Sequence, residues 1–259
     1  MSKVLILSAW LSFLGLVMSN ATTAESFSEN MQSETEHPQK MTTEQLRDLF
    51  LLSLPHDSVT PTKESYEDVR AADLNSDGEW ELILSLNRGD VNVCSQVLQY
   101  NQNDGSFSEW HFAGGGLCNY TVRGDYLISS YRDHAIWHQD IYKMASGKPE
   151  LYITDSCVGC DEVRRKTYRP DGTPVKTLVS DDIDFEKRIP LKAKITTGRA
   201  RIFSSADQNC STKKYLIRGD EITLLDYYRS PDDTDWAQFR FDGPKTITEG
   251  WLRYSDFDR

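Results

Sequence analysis

Three short runs in the middle of the chain share one plan. Tyr100 stands before Asp104-Gly105, Tyr142 before Ser146-Gly147 and Tyr168 before Asp171-Gly172, and each pair leads into a second strand-like run. Pairs of this kind supply the positive backbone angles that tight hairpins demand. A chain punctuated in this way is expected to fold as antiparallel sheet built from consecutive hairpins. The tyrosines are 42 and then 26 residues apart. Such uneven spacing points to a radial or meandering sheet assembly and away from a propeller with equal blades.

The N-terminus follows a different logic. Lys3 precedes an apolar run from Val4 to Val17, and small and polar residues follow, including Ala21 and Ala24. This order reads as a secretory signal peptide over residues 1–24, too short in its apolar core for a bilayer span, which needs about 20 residues. No Cys lies near the cleavage region to carry a lipid anchor. Residues 25–40 are rich in Ser, Glu, Gln and Thr and lack the apolar content that offsets the entropy of ordering, so a flexible leader is expected there. Thr42-Thr43-Glu44-Gln45 then resembles a helix start with a capping box, ahead of Leu46, Leu49, Phe50 and Leu52. One short amphipathic helix is expected, ending before Pro55.

Charge and cysteine usage narrow the setting. The chain carries a net charge of -11, which becomes -12 once Lys3 leaves with the signal. An acidic surface repels polyphosphate, so nucleic acid is excluded as a partner; a basic protein partner would be attracted. Five cysteines in an exported chain suggest disulfides. Cys94 with Cys118 and Cys157 with Cys160 are the simplest pairings by proximity, leaving Cys210 odd, but spacing alone does not fix the connectivity. Cys157-Val-Gly-Cys160 also has thioredoxin-type spacing, although strand-like flanks give it no helix N-terminus to stabilise a thiolate.

The sharpest chemical feature is Asp73-Leu74-Asn75-Ser76-Asp77-Gly78-Glu79-Trp80-Glu81. Oxygen side chains fall at positions 1, 3, 5 and 9, with Gly at 6, the alternation by which a loop wraps a hard cation such as Ca2+. Asp73, Asn75, Asp77 and Glu81 are the side-chain ligand candidates, Glu81 directly or through water, and Glu79 offers its backbone carbonyl. Leu84 stands at position 12, where an EF-hand has Glu. The flanks Val69-Arg70-Ala71-Ala72 and Leu82-Ile83-Leu84 read as strands rather than helices. A calcium loop between strands is therefore expected; the alternative is a metal-free turn in which Asp and Asn bond their own backbone.

Other motifs are weaker. His134 and His138 are read as lying on one strand, where an i to i+4 pair stands about 13 Å apart, too far to share a zinc ion. Gly114-Gly115-Gly116 lacks the Lys-Ser/Thr and helix of a phosphate loop and is expected to be a mobile loop. No Gly-x-Ser-x-Gly, His-Glu-x-x-His or supported Cys-His set occurs, so the expectation is a protein that is not an enzyme.

Two resemblances follow from these residues. The stretch from about Ser65 to Val179, with the Asp73–Leu82 motif and the hairpins after it, resembles the periplasmic immunity proteins that inhibit secreted peptidoglycan hydrolases. That resemblance implies an incomplete β-propeller-like fold, a calcium loop and calcium-strengthened binding of the target enzyme. Ala193 to Phe257 resembles a bacterial SH3-like domain, through Lys214-Tyr215-Leu216-Ile217-Arg218-Gly219-Asp220-Glu221-Ile222-Thr223-Leu224-Leu225, Trp236 and Glu249-Gly250-Trp251-Leu252. Such domains often meet cell-wall peptides or other proteins.

The expected fold class is all-β: a β-propeller-like module over 41–186 with the calcium loop, then an SH3-like barrel over 190–259, with one short N-terminal helix. Strands of the second module are expected at Ala193–Ile195, Ala200–Phe203, Tyr215–Asp226, Trp236–Phe241 and Gly250–Arg253. The expected function is a secreted, periplasmic, calcium-dependent inhibitor or immunity protein whose partner is a cell-wall lytic enzyme, with no membrane association once the signal is removed. A peptidoglycan-binding adaptor and a hydrolase with an unrecognised carboxylate pair are the rivals.

Overall fold

Thr42 and Gln45 close a reciprocal cap. The Thr42 backbone N–H donates to Gln45 Oε1 at 2.7 Å, and the Gln45 N–H donates to Thr42 Oγ1 at 3.3 Å. These bonds satisfy donors that a helix start otherwise leaves unpaired, and helix α1 runs from Thr43–Ser53. The structure, a computed structural model, describes residues 41–53, 68–85 and 91–259. The expected signal peptide and leader lie outside them.

Among the described residues everything else that is regular is strand or short 3-10 helix, so the described fold is all-β with one short α-helix. A first sheet holds β1 (Asp68–Ala72), β2 (Glu81–Ser85), β3 (Cys94–Asn101), β4 (Ser106–Glu109) and β5 (Leu117–Cys118). A second holds β6 (Thr121–Arg123), β7 (Tyr126–Asp133), β8 (Ile136–Ala145), β9 (Lys148–Val158), β10 (Glu162–Tyr168) and β11 (Pro174–Ser180), in plain antiparallel sequence order. The third curls into a half-barrel of β12 (Lys192–Ile195), β13 (Arg199–Phe203), β14 (Ser211–Ile217), β15 (Glu221–Arg229), β16 (Asp235–Asp242), β17 (Ile247–Arg253) and β18 (Phe257–Asp258).

Strand alternation decides which core each residue serves. All five residues of β2 are buried, because both of its faces are covered. Leu82 and Leu84 point to one side, where Leu46 and Phe50 of α1 cover them together with Leu98. Ile83 points to the other side, into a core shared with Leu127 and Tyr142 of the second sheet. The second sheet buries its opposite face, with Ile128, Ile141 and Ile153, against Phe185. The third sheet has its own core around Ala200, Leu216, Leu224, Phe239 and Leu252, and Leu178 of β11 inserts into it.

The acidic stretch from Asp181 to Lys187, which ends the first expected module, is itself packed. Phe185 is buried, and Asp155 forms ion pairs with Arg165 and Arg188, both at 2.6 Å. Asp155 and Arg188 have side chains with no exposed surface, so each charge there is tolerated only through its partner.

Three local expectations change, and the cysteine pairing is as proximity suggested. The run Tyr215–Asp226 is two strands, β14 and β15, because the chain turns at Arg218-Gly219-Asp220, where the Ile217 N–H donates to Asp220 Oδ2 at 2.9 Å. His134 and His138 do not share a strand: His134 sits in the β7–β8 turn at φ 53°, and His138 stacks on Tyr131 at 5.2 Å. Gly114–Gly116 is fitted against the second sheet. The Gly115 N–H donates to Asp140 at 2.9 Å, and a Cβ on Gly115 would overlap the Tyr131 ring, so glycine is needed for the close approach. Both proximate cysteine pairs, Cys94–Cys118 and Cys157–Cys160, are disulfides, and Cys210 is free.

The buried ion pairs make a direct prediction. Asp155→Ala should strip two arginines of their partner and destabilise the protein by about 3–5 kcal/mol, read as a drop in urea midpoint. A midpoint within error of the parent would show that this cluster does not hold the segment.

Candidate metal centre

The expected calcium loop joins β1 to β2. Those two strands pair antiparallel from Asp68↔Ser85 to Ala72↔Glu81, so Asp73 and Glu81 stand at the two mouths of a hairpin. Strand pairing thus fixes the ends of the loop, and hydrogen bonds fix its interior. Asp73 accepts from the Asp77 N–H at 3.1 Å and from the Gly78 N–H at 2.9 Å. Asn75 Oδ1 accepts from the Asp77 N–H at 3.1 Å, and Asp77 Oδ1 from the Glu79 N–H at 2.7 Å. Gly78 has φ 90°, a backbone conformation that side chains disfavour and that the reversal requires.

Those bonds alone describe a nest of Asx turns. Glu81 is what an Asx turn does not need. It is fully buried, with one carboxylate oxygen accepting from the Leu74 N–H at 2.8 Å and Oε1 without any hydrogen-bond partner. Its pKa is pushed up to about 7, chiefly by burial. The Leu74 N–H opposes that rise, while the negative charges of Asp77 and Asp73 add to it. An unpaired carboxylate oxygen, buried under two further carboxylates, is the electrostatic environment that a divalent cation would relieve.

Asp73, Asn75, Asp77, Glu81 and the Glu79 backbone provide oxygen donors only, which suits Ca2+ rather than a softer metal. The Glu79 side chain is exposed, consistent with a backbone role. Among the described residues no group of three or more His, Cys, Asp or Glu side chains is drawn together as a metal cluster. The physical reason is visible in the loop: Asp73 and Asp77 are turned onto backbone N–H groups, and Glu81 alone retains an unpartnered oxygen.

The loop also reaches across the molecule. Asn75 Nδ2 donates to Asp77 Oδ2 at 2.7 Å and to the Gly147 carbonyl at 3.2 Å, and Gly147 belongs to the β8–β9 turn of the second sheet. Leu74, inside the loop, is buried in the core that both sheets share. The sequence marked Ser146-Gly147 as a turn but held no sign that the two loops meet.

No family model matches the chain, and no curated protein matches it. Among solved structures it is similar to a chain described as "Structure of a Xanthomonas Type IV Secretion System related protein", at 16% identity and a TM-score of 0.28, covering 48% of this chain and 57% of that one. The match spans little more than half of that chain and carries no argument here.

Glu81 yields a signed prediction. A carboxylate whose folded pKa is raised favours the protonated fold, so its penalty begins above the ordinary value of 4.5 and grows until pH passes about 7. In chelator, thermal melts should fall in Tm between pH 4.5 and 7.5 in the parent and fall less in Glu81→Gln. Added calcium should restore the parent at pH 7.5 and leave Glu81→Gln unmoved. Identical pH profiles of the two proteins would contradict the assignment.

Proposed function

We propose that the protein is an exported, calcium-dependent binding protein, without catalytic activity of its own, that inhibits a cell-wall lytic enzyme. The observation that carries this reading is the buried, half-unpartnered Glu81 carboxylate beneath Asp73 and Asp77, in a loop fastened to a turn of the neighbouring sheet. Bound calcium would supply positive charge to that carboxylate group. The chain's own residues do the rest: Asn75 ties the loop to Gly147, and Leu74 anchors it in the shared core. Loops held in this way lose less entropy when a partner binds.

The setting agrees with an exported protein. Two disulfides suit an oxidising compartment, and among the described residues no helix is long and apolar enough to cross a membrane. The bacterial periplasm is part of the proposal, by resemblance to the immunity proteins. An enzyme that degrades an anionic wall polymer is itself drawn to negative charge, and residues 41–189 provide it, with 25 Asp and Glu against 15 Lys and Arg.

The test is a muramidase panel, including any enzyme encoded beside the gene, assayed with calcium and with chelator. Inhibition should be present with calcium and at least tenfold weaker in chelator or in Asp73→Ala and Glu81→Gln. Retention on insoluble peptidoglycan with no inhibition of any enzyme would instead favour a wall-binding adaptor.

A further inference from the structure

The charge of the chain is unevenly spread. Residues 190–259 hold 12 Lys and Arg against 11 Asp and Glu, so the half-barrel is slightly positive in a protein of net charge -11. The positive charge gathers on one hairpin. In the β13–β14 ladder Arg199 stands opposite Ile217 and Arg201 opposite Tyr215, so these four side chains share a face, and Lys213 follows at the next position of the same parity. Ala200 and Leu216 occupy the other face, inside the core. The outer face is therefore Arg199, Arg201, Lys213, Tyr215 and Ile217, all exposed, on the hairpin whose second strand, β14, is the edge of the sheet.

Among the described residues its cations form no ion pair with an acidic side chain. The ion pairs around this sheet are made instead by Lys192, Arg229, Arg240 and Arg259, and by Asp226 with Arg164 and Lys176 of the second sheet. Arg199 instead lies 3.8 Å from the centre of the Tyr215 ring, a stacking that keeps the guanidinium flat on the surface and available. Tyr215 and Ile217 are 47% and 53% exposed, so apolar surface sits between the charges. Lys214 and Arg218 add exposed charge along the same strand and its closing turn.

We propose that the outer face of the β13–β14 hairpin docks on an anionic phospholipid bilayer. Lys and Arg near an anionic lipid surface each attract it, while a tyrosine and an aliphatic side chain fit the boundary between headgroups and acyl chains. A hydrated wall polymer offers Ile217 no apolar environment, which is why lipid is the occupant chosen. The acidic 41–189 region is repelled by the same surface, so docking through the half-barrel holds the calcium loop's module away from the membrane. This inference is independent of enzyme inhibition, and it replaces the expectation that the chain meets no membrane once the signal is removed.

The experiment is vesicle co-sedimentation of the chain from Glu25 onward, which keeps every described element and removes the apolar run of residues 4–17. Binding is expected to vesicles of phosphatidylcholine with phosphatidylglycerol, to weaken as ionic strength rises, and to vanish on phosphatidylcholine alone. Each cation removed should weaken it about fivefold, the equivalent of about 1 kcal/mol, so Arg201→Gln/Lys213→Gln should lose about 25-fold. Ile217→Ser should weaken it too, and Arg169→Gln, on an exposed turn of the second sheet, should leave it unchanged. The variants lie on an exposed face, and unchanged melts confirm their fold. Equal binding to both vesicle types, an equal loss in Arg169→Gln, or retention on insoluble peptidoglycan without vesicle binding would each overturn the proposal.

Discussion

The first two sheets meet at a place where an apolar residue and a carboxylate are forced together. Leu74 must enter the shared core with Ile83, Leu127 and Tyr142, and its N–H must then find an acceptor away from water. Glu81 Oε2 is that acceptor, at 2.8 Å. The consequence is a carboxylate buried at the base of a loop that already carries Asp73 and Asp77. Hydrogen bonding thereby solves one burial problem and creates another, since Oε1 remains unpartnered and the charge unfavourable. The candidate metal centre is the residue of that conflict.

Buried charge is handled differently elsewhere in the same chain. Asp155 is as deeply buried as Glu81, yet it pairs with Arg165 and Arg188, so no outside cation is called for. Arg188 comes from the acidic segment that follows β11, and the pairing folds that segment back on the second sheet. With Leu178 in the core of the half-barrel, the chain passes from one sheet to the next through packed residues. The contrast between the two carboxylates shows why burial alone does not mark a site: the deciding feature is whether the structure itself supplies the counter-charge.

Much of this was legible in the sequence, where the cause is local. The Thr42/Gln45 cap, the Asp-Gly turns, the strand-like flanks of the loop and both disulfides depend on residues close in sequence, and the structure places them as their chemistry requires. Errors arose where a local cue was outvoted. Strong β-formers on both sides of Arg218-Gly219-Asp220 concealed a turn, and aromatic and aliphatic residues around His134 concealed another. Three adjacent glycines suggested mobility, but only contact with Tyr131 and Asp140 reveals that they serve close packing. Long-range features left no trace: Asn75 with Gly147 and Asp155 with Arg188 are 72 and 33 residues apart. The ligand spacing of the loop could be read from its residues, whereas the burial of Glu81 could not.

The central claim is that Glu81 and its loop form a cation site that couples two sheets. Hydrogen exchange with and without calcium tests it most directly. Calcium should slow exchange at the Leu74, Asp77, Gly78 and Glu79 amides and also in the β8–β9 turn around Gly147, which Asn75 contacts. Unchanged exchange at all of these amides in millimolar calcium would contradict the account.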